Sequence, residues 1–411
     1  MLALFQNCRL LDPEASELRE GMSVLVEGEH VREVSERAIA APGAAVFDLR
    51  GLVLMPGLID AHAHVYLSEV NIGRLADVPL TLMAARAGPL MRAMLDRGFT
   101  TVRDTGGADW GIREAVDTGQ MVGPRLFIAG QSLSQTGGHG DFRLRTEGEH
   151  ACQCCSGVQL ISRIVDGVPQ MLHAVRDELR KGADHIKLMV SGGVASPRDP
   201  LEATQFTREE ITAAVGEATA WGKYVCAHAY GTDAILRAVE CGVRSIEHGN
   251  FVDAQTAKLM RERGAFIVPT LVAYDAMKRR GRDFGLPPVS LEKNERVLAA
   301  GLRSLEICRD AGVPIAFGSD LLGQLQDDQC REFLIRGEAM SPLEVLRSAT
   351  LVNARLLRQE GLLGVIRPGA LADLLVVDGN PLRDLGVLQD QGAHLKAIMK
   401  GGEFHKNLLG R

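Results

Sequence analysis

Residues 56–64 read PGLIDAHAH, an apolar run that ends in two histidines two positions apart. Side chains two positions apart on a β-strand point to the same side, so His62 and His64 can share one metal ion at the end of a strand. An isolated His-x-His pair is a weak motif, and two incidental histidines explain it equally well. The remainder of the chain decides between these interpretations.

Strand-like apolar runs continue through the middle of the chain and alternate with segments of helical periodicity. We predict eight strands there, at residues 59–65, 100–103, 125–129, 185–190, 224–228, 245–248, 266–269 and 315–317. The predicted helices between them include residues 168–180, 208–220, 232–240 and 254–263. Eight alternating units over roughly 300 residues favour an α/β fold of the (β/α)8 TIM-like barrel type, whose active sites lie at the carboxyl ends of the strands. A doubly wound sheet is the alternative, which the number of units disfavours.

Both ends of the chain contain short strands separated by glycine and proline. These strands are predicted at residues 2–6, 22–27, 31–34, 45–48, 373–378 and 395–399. We expect the two ends to pair into one small β-sandwich. The predicted domains are therefore a discontinuous sandwich of residues 1–55 plus 365–411 and a catalytic barrel of residues 56–364.

The composition is that of a globular protein rather than a disordered one. The 411 residues are 46% hydrophobic and 24% charged, with a formal net charge of -6 and no long run of one sign, which excludes a basic surface for nucleic acid. No apolar run reaches the roughly 18 residues of a membrane span, and residues 1–17 lack the pattern of a secretory signal. We therefore expect a cytoplasmic protein with no membrane and no nucleic-acid partner.

The eight cysteines are scattered, and a chain of this length needs no disulfide framework, so we expect reduced thiols. Cys152, Cys154 and Cys155 lie with His150 in the long connection at residues 130–166, but their spacing fits no zinc pattern. We interpret them as loop residues rather than as a separate metal site.

Ligand-type side chains fall on four further predicted strands or at their ends. His228 and His248 each close a strand, Asp320 follows another, and Lys187 lies within the strand at residues 185–190. A lysine in an apolar strand is unfavourable unless its charge is removed. Carboxylation by CO₂ would convert its ammonium into an anionic carbamate able to bridge two metal ions.

This set resembles the metal-dependent amidohydrolase superfamily in its two-metal subtype. The resemblance implies two divalent ions held by six residues: His62, His64, Lys187, His228, His248 and Asp320. Zinc fits these ligands best, and manganese or cobalt are the alternatives. The first two histidines and the aspartate would hold the more buried ion, the other two histidines the second, and N-carboxylated Lys187 would bridge them. A metal-bridging hydroxide would be the nucleophile and Asp320 the proton shuttle.

Four segments resemble more closely the imidazolonepropionase-like branch, which includes Xaa-Pro and Xaa-Arg dipeptidases and ochratoxin-type amidases. They are QTGGHGD at 135–141, KLMVSGG at 187–193, AHAY at 227–230 and IEHGN at 246–250. The branch implies cleavage of a dipeptide or N-acyl amino acid with a free C-terminal carboxylate. It also implies a large homo-oligomer, up to an octamer, for which residues 271–312 offer a contact surface.

Two catalytic residues are expected beside the metal ligands. Tyr230 would donate a hydrogen bond to the oxyanion of the tetrahedral intermediate, the alternative being a tyrosine packed at the rim. His139, in a glycine-rich loop, would contact the substrate carbonyl or carboxylate, the alternative being an exposed loop histidine.

Other polar and aromatic residues receive structural interpretations. Asp104 is interpreted as structural, and Arg198 as either a carboxylate partner or part of a salt bridge. Trp110 and Tyr274 are interpreted as ordinary packing residues, the alternative being walls of an aromatic leaving-group pocket. His185 is expected to hydrogen-bond a neighbouring strand or a metal ligand.

Two other functions stay open from the sequence. The chain can be a cyclic amide hydrolase of the imidazolonepropionase or hydantoinase kind. A non-catalytic barrel that serves as a scaffold is disfavoured, because such proteins tend to lose metal ligands.

Overall fold

A computed structural model describes residues 1–147 and 160–410 of the chain. The strands of these residues are β1 (Leu2–Leu11), β2 (Leu18–Glu27), β3 (His30–Ser35), β4 (Ala45–Asp48), β5 (Val53–Pro56), β6 (Leu58–Ala63), β7 (Phe99–Asp104), β8 (Arg125–Ile128), β9 (Ser132–Ser134), β10 (Ser162–Ile164), β11 (Ile186–Met189), β12 (Val225–Ala229), β13 (Ser245–His248), β14 (Phe266–Val268), β15 (Leu374–Val377), β16 (Leu395–Lys400) and β17 (Glu403–Asn407). The α-helices are α1 (Leu80–Asp96), α2 (Trp110–Asp117), α3 (Gly167–Arg180), α4 (Arg208–Ala220), α5 (Thr232–Glu240), α6 (Ala254–Glu262), α7 (Leu271–Arg280), α8 (Pro288–Ala311), α9 (Arg331–Gly337), α10 (Pro342–Arg347) and α11 (Asn353–Leu356).

Strands from both ends of the chain form one eight-stranded sheet, in the order β17-β16-β15-β5-β1-β2-β3, with β4 paired to β1. The two ends meet where β15 pairs antiparallel with β5. The apolar runs of these strands pack into their own core, in which Phe5 and Phe47 stack at 5.6 Å. The expected pairing of the ends is present. The hydrogen bonds join these strands into a single sheet rather than into two separate sheets. The β-sandwich therefore stays a prediction.

Gly57 links this terminal sheet to the strand that carries His62. A β-carbon at Gly57 would collide with the side chain of Thr100 on the neighbouring β7. Only glycine therefore lets β6 approach β7 this closely.

The central strands form two parallel sheets, β6-β7-β8 and β10-β9-β11-β12-β13-β14. Seven of the eight predicted central strands are present within a few residues of the expected positions, as β6, β7, β8, β11, β12, β13 and β14. The eighth, at residues 315–317, is reduced to an isolated parallel bridge between Ile315 and Ile267. On the other side of this segment, the Phe317 N–H donates to the Ser348 carbonyl and the Asn353 side chain.

Backbone hydrogen bonds also join the two parallel sheets. The Ala61 N–H donates to the Phe317 carbonyl at 2.9 Å, and the Asp184 N–H donates to the Ile128 carbonyl at 2.8 Å. Parallel strands share one carboxyl edge, so the residues that end β6, β12 and β13 face a common site.

The helices match the predicted amphipathic segments closely. For example, α5 buries Ala234, Ile235, Ala238 and Val239 along one face, the spacing that a surface helix needs to cover a sheet. The α4 helix begins with a capping box in which Thr207 and Glu210 bond each other's backbone N–H groups. Within the described residues, none of the helices combines the length and the apolar character required to cross a lipid bilayer.

Candidate metal centre

Three histidines surround the carboxylate of Asp320. The Nε2 atoms of His62 and His64 lie 3.3 Å and 3.1 Å from its Oδ1, and His248 Nδ1 lies 3.9 Å from its Oδ2. One ligand atom from each of His62, His248 and Asp320 falls within 4.8 Å of the others. This set of nitrogen and oxygen donors fits a divalent ion such as zinc.

Both histidines of the His-x-His pair are oriented through their Nδ1 atoms. His62 Nδ1 lies 2.8 Å from Glu247 Oε2, and His64 Nδ1 lies 2.8 Å from the Gly106 carbonyl oxygen. These acceptors favour a proton on Nδ1, which would leave each Nε2 free to bind a metal ion. That tautomer is the one a metal ligand requires.

Lys187 lies in the middle of β11 and is 1% exposed. Within residues 1–147 and 160–410 its amine has no hydrogen-bond or ion-pair partner, although its charge acts on His228 and His248. A buried ammonium without a partner is strongly unfavourable, whereas a carbamate held by metal ions is not. The environment of Lys187 therefore fits the carboxylated form.

Burial holds the pKa of His228 and His248 well below the usual value, so both rings are neutral. The pKa of Asp320 would be raised by burial alone, but the His62 and His64 rings outweigh this effect and hold it well below its usual range. Neutral imidazoles and an ionised carboxylate are the states that bind metal ions.

The two expected catalytic residues lie against the second pair of histidines. The His139 ring stacks on His228 at 4.2 Å between centroids, and the Tyr230 ring lies 4.9 Å from His228 and 5.1 Å from His248. His228 lies 4.6 Å from His248. All predicted site residues except Lys187 are thus joined by direct contacts, and Lys187 is within electrostatic reach.

The loop that follows β11 holds His139 in place. His139 Nδ1 lies 2.6 Å from Ser196 Oγ, and a β-carbon at Gly193 would collide with the His139 ring. Lys293, on α8, donates to the carbonyl oxygens of Gly193 at 3.0 Å and Ser196 at 2.7 Å, and also to that of Asp199. A helix outside the central sheets therefore fixes the loop beside the candidate active site.

Three residues at the site have left-handed backbone conformations that are unusual without glycine. They are His248, with φ of 76°, Thr270 with 51° and Asp320 with 50°. Such conformations cost roughly 1–3 kcal/mol each and concentrate at functional sites.

Sequence reasoning missed a buried chain behind His62. Glu247 is fully buried and pairs with the equally buried Arg103 at 2.8 Å. Burial alone would raise the pKa of Glu247, but Arg103 and His62 hold it far below the usual value. An arginine and a glutamate inside two apolar strands were the available signal, because such charges need partners.

Two hydroxyl groups outside the predicted catalytic and metal-binding residues contact His248. Thr270 Oγ1 lies 2.8 Å and the Tyr274 hydroxyl 2.9 Å from His248 Nδ1, and the Tyr230 hydroxyl donates to Tyr274 at 3.1 Å. Tyr274 is fully buried in an apolar cluster, as expected for a packing residue, and its hydroxyl also reaches the candidate site.

The hydrogen bond expected for His185 is absent. Within the described ranges both of its ring nitrogens lack a partner, and the ring stacks on Tyr224 at 5.5 Å between centroids.

Arg198 is exposed and donates to a backbone carbonyl instead of a carboxylate. Asp104 is structural as expected, since it accepts three backbone N–H groups. Trp110 is 58% exposed rather than packed.

The interpretation of Cys152, Cys154, Cys155 and His150 as loop residues lies outside the described residues.

Comparison with known proteins places this geometry in a family. The Amidohydrolase family model matches residues 53–404. Ochratoxinase from Aspergillus niger is 33% identical over 376 residues, which cover 86% of this chain and 76% of that protein.

Two solved structures superpose over nearly the whole chain. One, a prolidase complexed with N-methylphosphonate-L-proline, is 51% identical, with a TM-score of 0.97 over 99% of this chain and 100% of that one. The other, a Xaa-Pro dipeptidase with bound methionine in the active site, is 30% identical, with a TM-score of 0.88 over 99% and 100%.

Proposed function

Because the chain belongs to the amidohydrolase family and is a hydrolase of amide or peptide bonds, we propose that its substrates are dipeptides or N-acyl amino acids with a free C-terminal carboxylate. The likeness to ochratoxinase and to the prolidases supports this branch of the family. Proline dipeptides are the first substrates to test, since the prolidase is 51% identical over nearly the whole chain.

One observation carries the proposal. His139 and Tyr230 are donors that lie directly against the ligand histidines His228 and His248. A substrate carbonyl near those histidines would therefore have a phenol and an imidazole within reach. Donors held in a buried site stabilise the negative charge that develops when an amide is attacked.

We propose two divalent ions, zinc first, as the cofactors, with the six predicted ligands as their holders: His62, His64, Lys187, His228, His248 and Asp320. When bound, the pair would lower the pKa of a water molecule and polarise the scissile carbonyl. Asp320 would accept the proton released in the attack and pass it to the leaving amine. Tyr230 would donate to the former carbonyl oxygen, and His139 would orient the substrate carbonyl or carboxylate.

We further infer that the two parallel sheets close into a (β/α)8 barrel. The hydrogen bonds from Ala61 to Phe317 and from Asp184 to Ile128 support closure, because they cross the gaps between the sheets. We also propose that the chain has two domains, a terminal β unit of residues 1–55 plus 365–411 and a barrel of residues 56–364.

We further propose that the protein is cytoplasmic and forms a homo-oligomer.

The test is a substrate panel with zinc-loaded enzyme. It contains Xaa-Pro and Xaa-Arg dipeptides and N-acyl-phenylalanines, each matched with its C-terminal amide. We expect turnover of at least one free acid and about 10- to 150-fold lower kcat/KM for its amide, the loss that corresponds to one hydrogen bond with a charged group. Asp320→Asn is the inactive control.

Absence of turnover across the panel would refute the proposal. Ring opening of hydantoins or imidazolones without dipeptide cleavage would replace it with a cyclic amide hydrolase.

A further inference from the structure

A cavity lies at the opposite edge of the parallel sheet from the metal ligands. Its volume is about 290 Å³. Its wall includes the residues that precede or begin β12, β13 and β14, whereas the ligand histidines lie at the carboxyl ends of β12 and β13. We call this space the basal cavity and define it by five of its lining residues: Lys223, Tyr224, Arg244, Arg263 and Arg358.

The charged residues that line the basal cavity are all cationic. Its lining residues include four cationic side chains and no carboxylate. Lys223 has a partner outside the lining, Asp184, at 3.4 Å. The Arg244 guanidinium is attracted by Glu360 and repelled by Arg358.

The arginines of the cavity lack carboxylate partners. Among the residues that the structure describes, Arg244 donates to the carbonyl oxygens of Leu356 and Arg355, and Arg358 donates to that of Gly222. The Arg263 side chain has no hydrogen bond or ion pair to any residue that the structure describes. Three arginines thus line one space that has no carboxylate among its described lining residues.

Aromatic rings fix the position of two of these arginines. The guanidinium carbons of Arg244 and Arg358 each lie 5.5 Å from the centroid of the buried Tyr224 ring. Arg244 also lies 5.1 Å from the Phe266 ring. Cation–π contacts and backbone carbonyls therefore hold the guanidinium groups without neutralising them.

We propose that the basal cavity binds a phosphate group, either free or carried by a small ester. Guanidinium groups present paired donors that match the oxygens of a tetrahedral dianion. A volume of about 290 Å³ corresponds to roughly ten water molecules, so a phosphate fits with room for a small substituent. Binding of the dianion relieves the repulsion between the arginines.

Calorimetric titration of the zinc-loaded enzyme tests this site, with inorganic phosphate in one arm and glycerol phosphate in the other. We expect saturable binding with a Kd of about 1 mM or tighter. Arg263→Ala weakens binding about tenfold or more, and Arg358→Ala does the same. The matched control is Arg261→Ala, which removes an equal charge from the end of the same helix but does not line the cavity; it should bind within about twofold of the unchanged protein.

The two arms identify the source of the phosphate group. Stronger binding of the ester indicates a phosphorylated metabolite, and equal or stronger binding of inorganic phosphate indicates the free ion. Arg263 is exposed, so its variant should fold, and a thermal melt checks this.

Two results would overturn the proposal. One is the absence of binding heat with both probes. The other is binding that survives Arg263→Ala but disappears in Asp320→Asn, because the phosphate would then be bound at the metal centre.

Discussion

We expect that the buried chain Arg103–Glu247–His62 stabilises the fold and also orients a metal ligand. The Glu247→Gln variant tests both roles. The substitution keeps the shape of the side chain but removes its charge. Glu247 accepts from Arg103 at 2.8 Å and 2.9 Å, from Ser245 at 2.7 Å, and faces His62 Nδ1 at 2.8 Å. All four groups are buried, so no solvent replaces the lost charge.

The expected loss of unfolding free energy is about 3–5 kcal/mol, because Arg103 is left as a buried cation without a counter-charge. Metal affinity should fall by roughly 10- to 100-fold, since the partner that orients His62 is weakened. Urea denaturation of the metal-free protein measures the first quantity. Zinc competition against a chromogenic chelator measures the second.

The double variant Arg103→Leu, Glu247→Gln distinguishes the two effects. Removing both charges should restore most of the stability, because no unpaired charge remains buried. It should not restore zinc affinity, because His62 still lacks its carboxylate. Unchanged stability and affinity in Glu247→Gln would refute the reasoning, as would recovery of zinc affinity in the double variant.

Three further variants test other parts of the site. Lys187→Ala should lose bound metal and activity, with partial rescue by short carboxylic acids that replace the carbamate; zinc content and turnover measure this. Tyr230→Phe should lower kcat by about 10²- to 10³-fold with little change in KM, as expected for loss of one oxyanion donor. Lys293→Met should raise KM more than it lowers kcat, because the loop 193–199 loses the donor to its carbonyl oxygens; Lys278→Met, at an exposed ion pair, is the control.

Each of these variants has an outcome that contradicts its prediction. Full activity of Lys187→Ala excludes the bridging role. An unchanged kcat in Tyr230→Phe means that the phenol only packs against the histidines. Equal KM values for the Lys293 and Lys278 variants mean that the loop needs no support from α8.

Much of the fold could be predicted because the central strands are short apolar runs with histidines at their ends. β9 and β10 were missed because SLS and SRI contain too few apolar residues to stand out. The predicted strand at residues 315–317 is only an isolated bridge, and its Phe317 N–H donates to Asn353, a partner that periodicity does not reveal.

The metal ligands could be predicted because each has a recognisable chemistry at a strand end. Their supporting partners could not. Glu247 and Arg103 lie on strands more than 100 residues apart, and periodicity does not show which strands face each other across a buried centre. The same limit explains the error on His185, whose neighbours come from other strands.

The junction of β5 and β15 has a consequence for biosynthesis. β5 leads through Gly57 directly into β6, which carries His62, yet its antiparallel partner lies more than 300 residues later. During translation this strand stays without that neighbour until residues 374–377 leave the ribosome. Contacts of such long range form late and slowly. We therefore expect the metal site to be completed only after nearly the entire polypeptide is made, so a nascent chain that stalls earlier would offer histidines but no finished binding site.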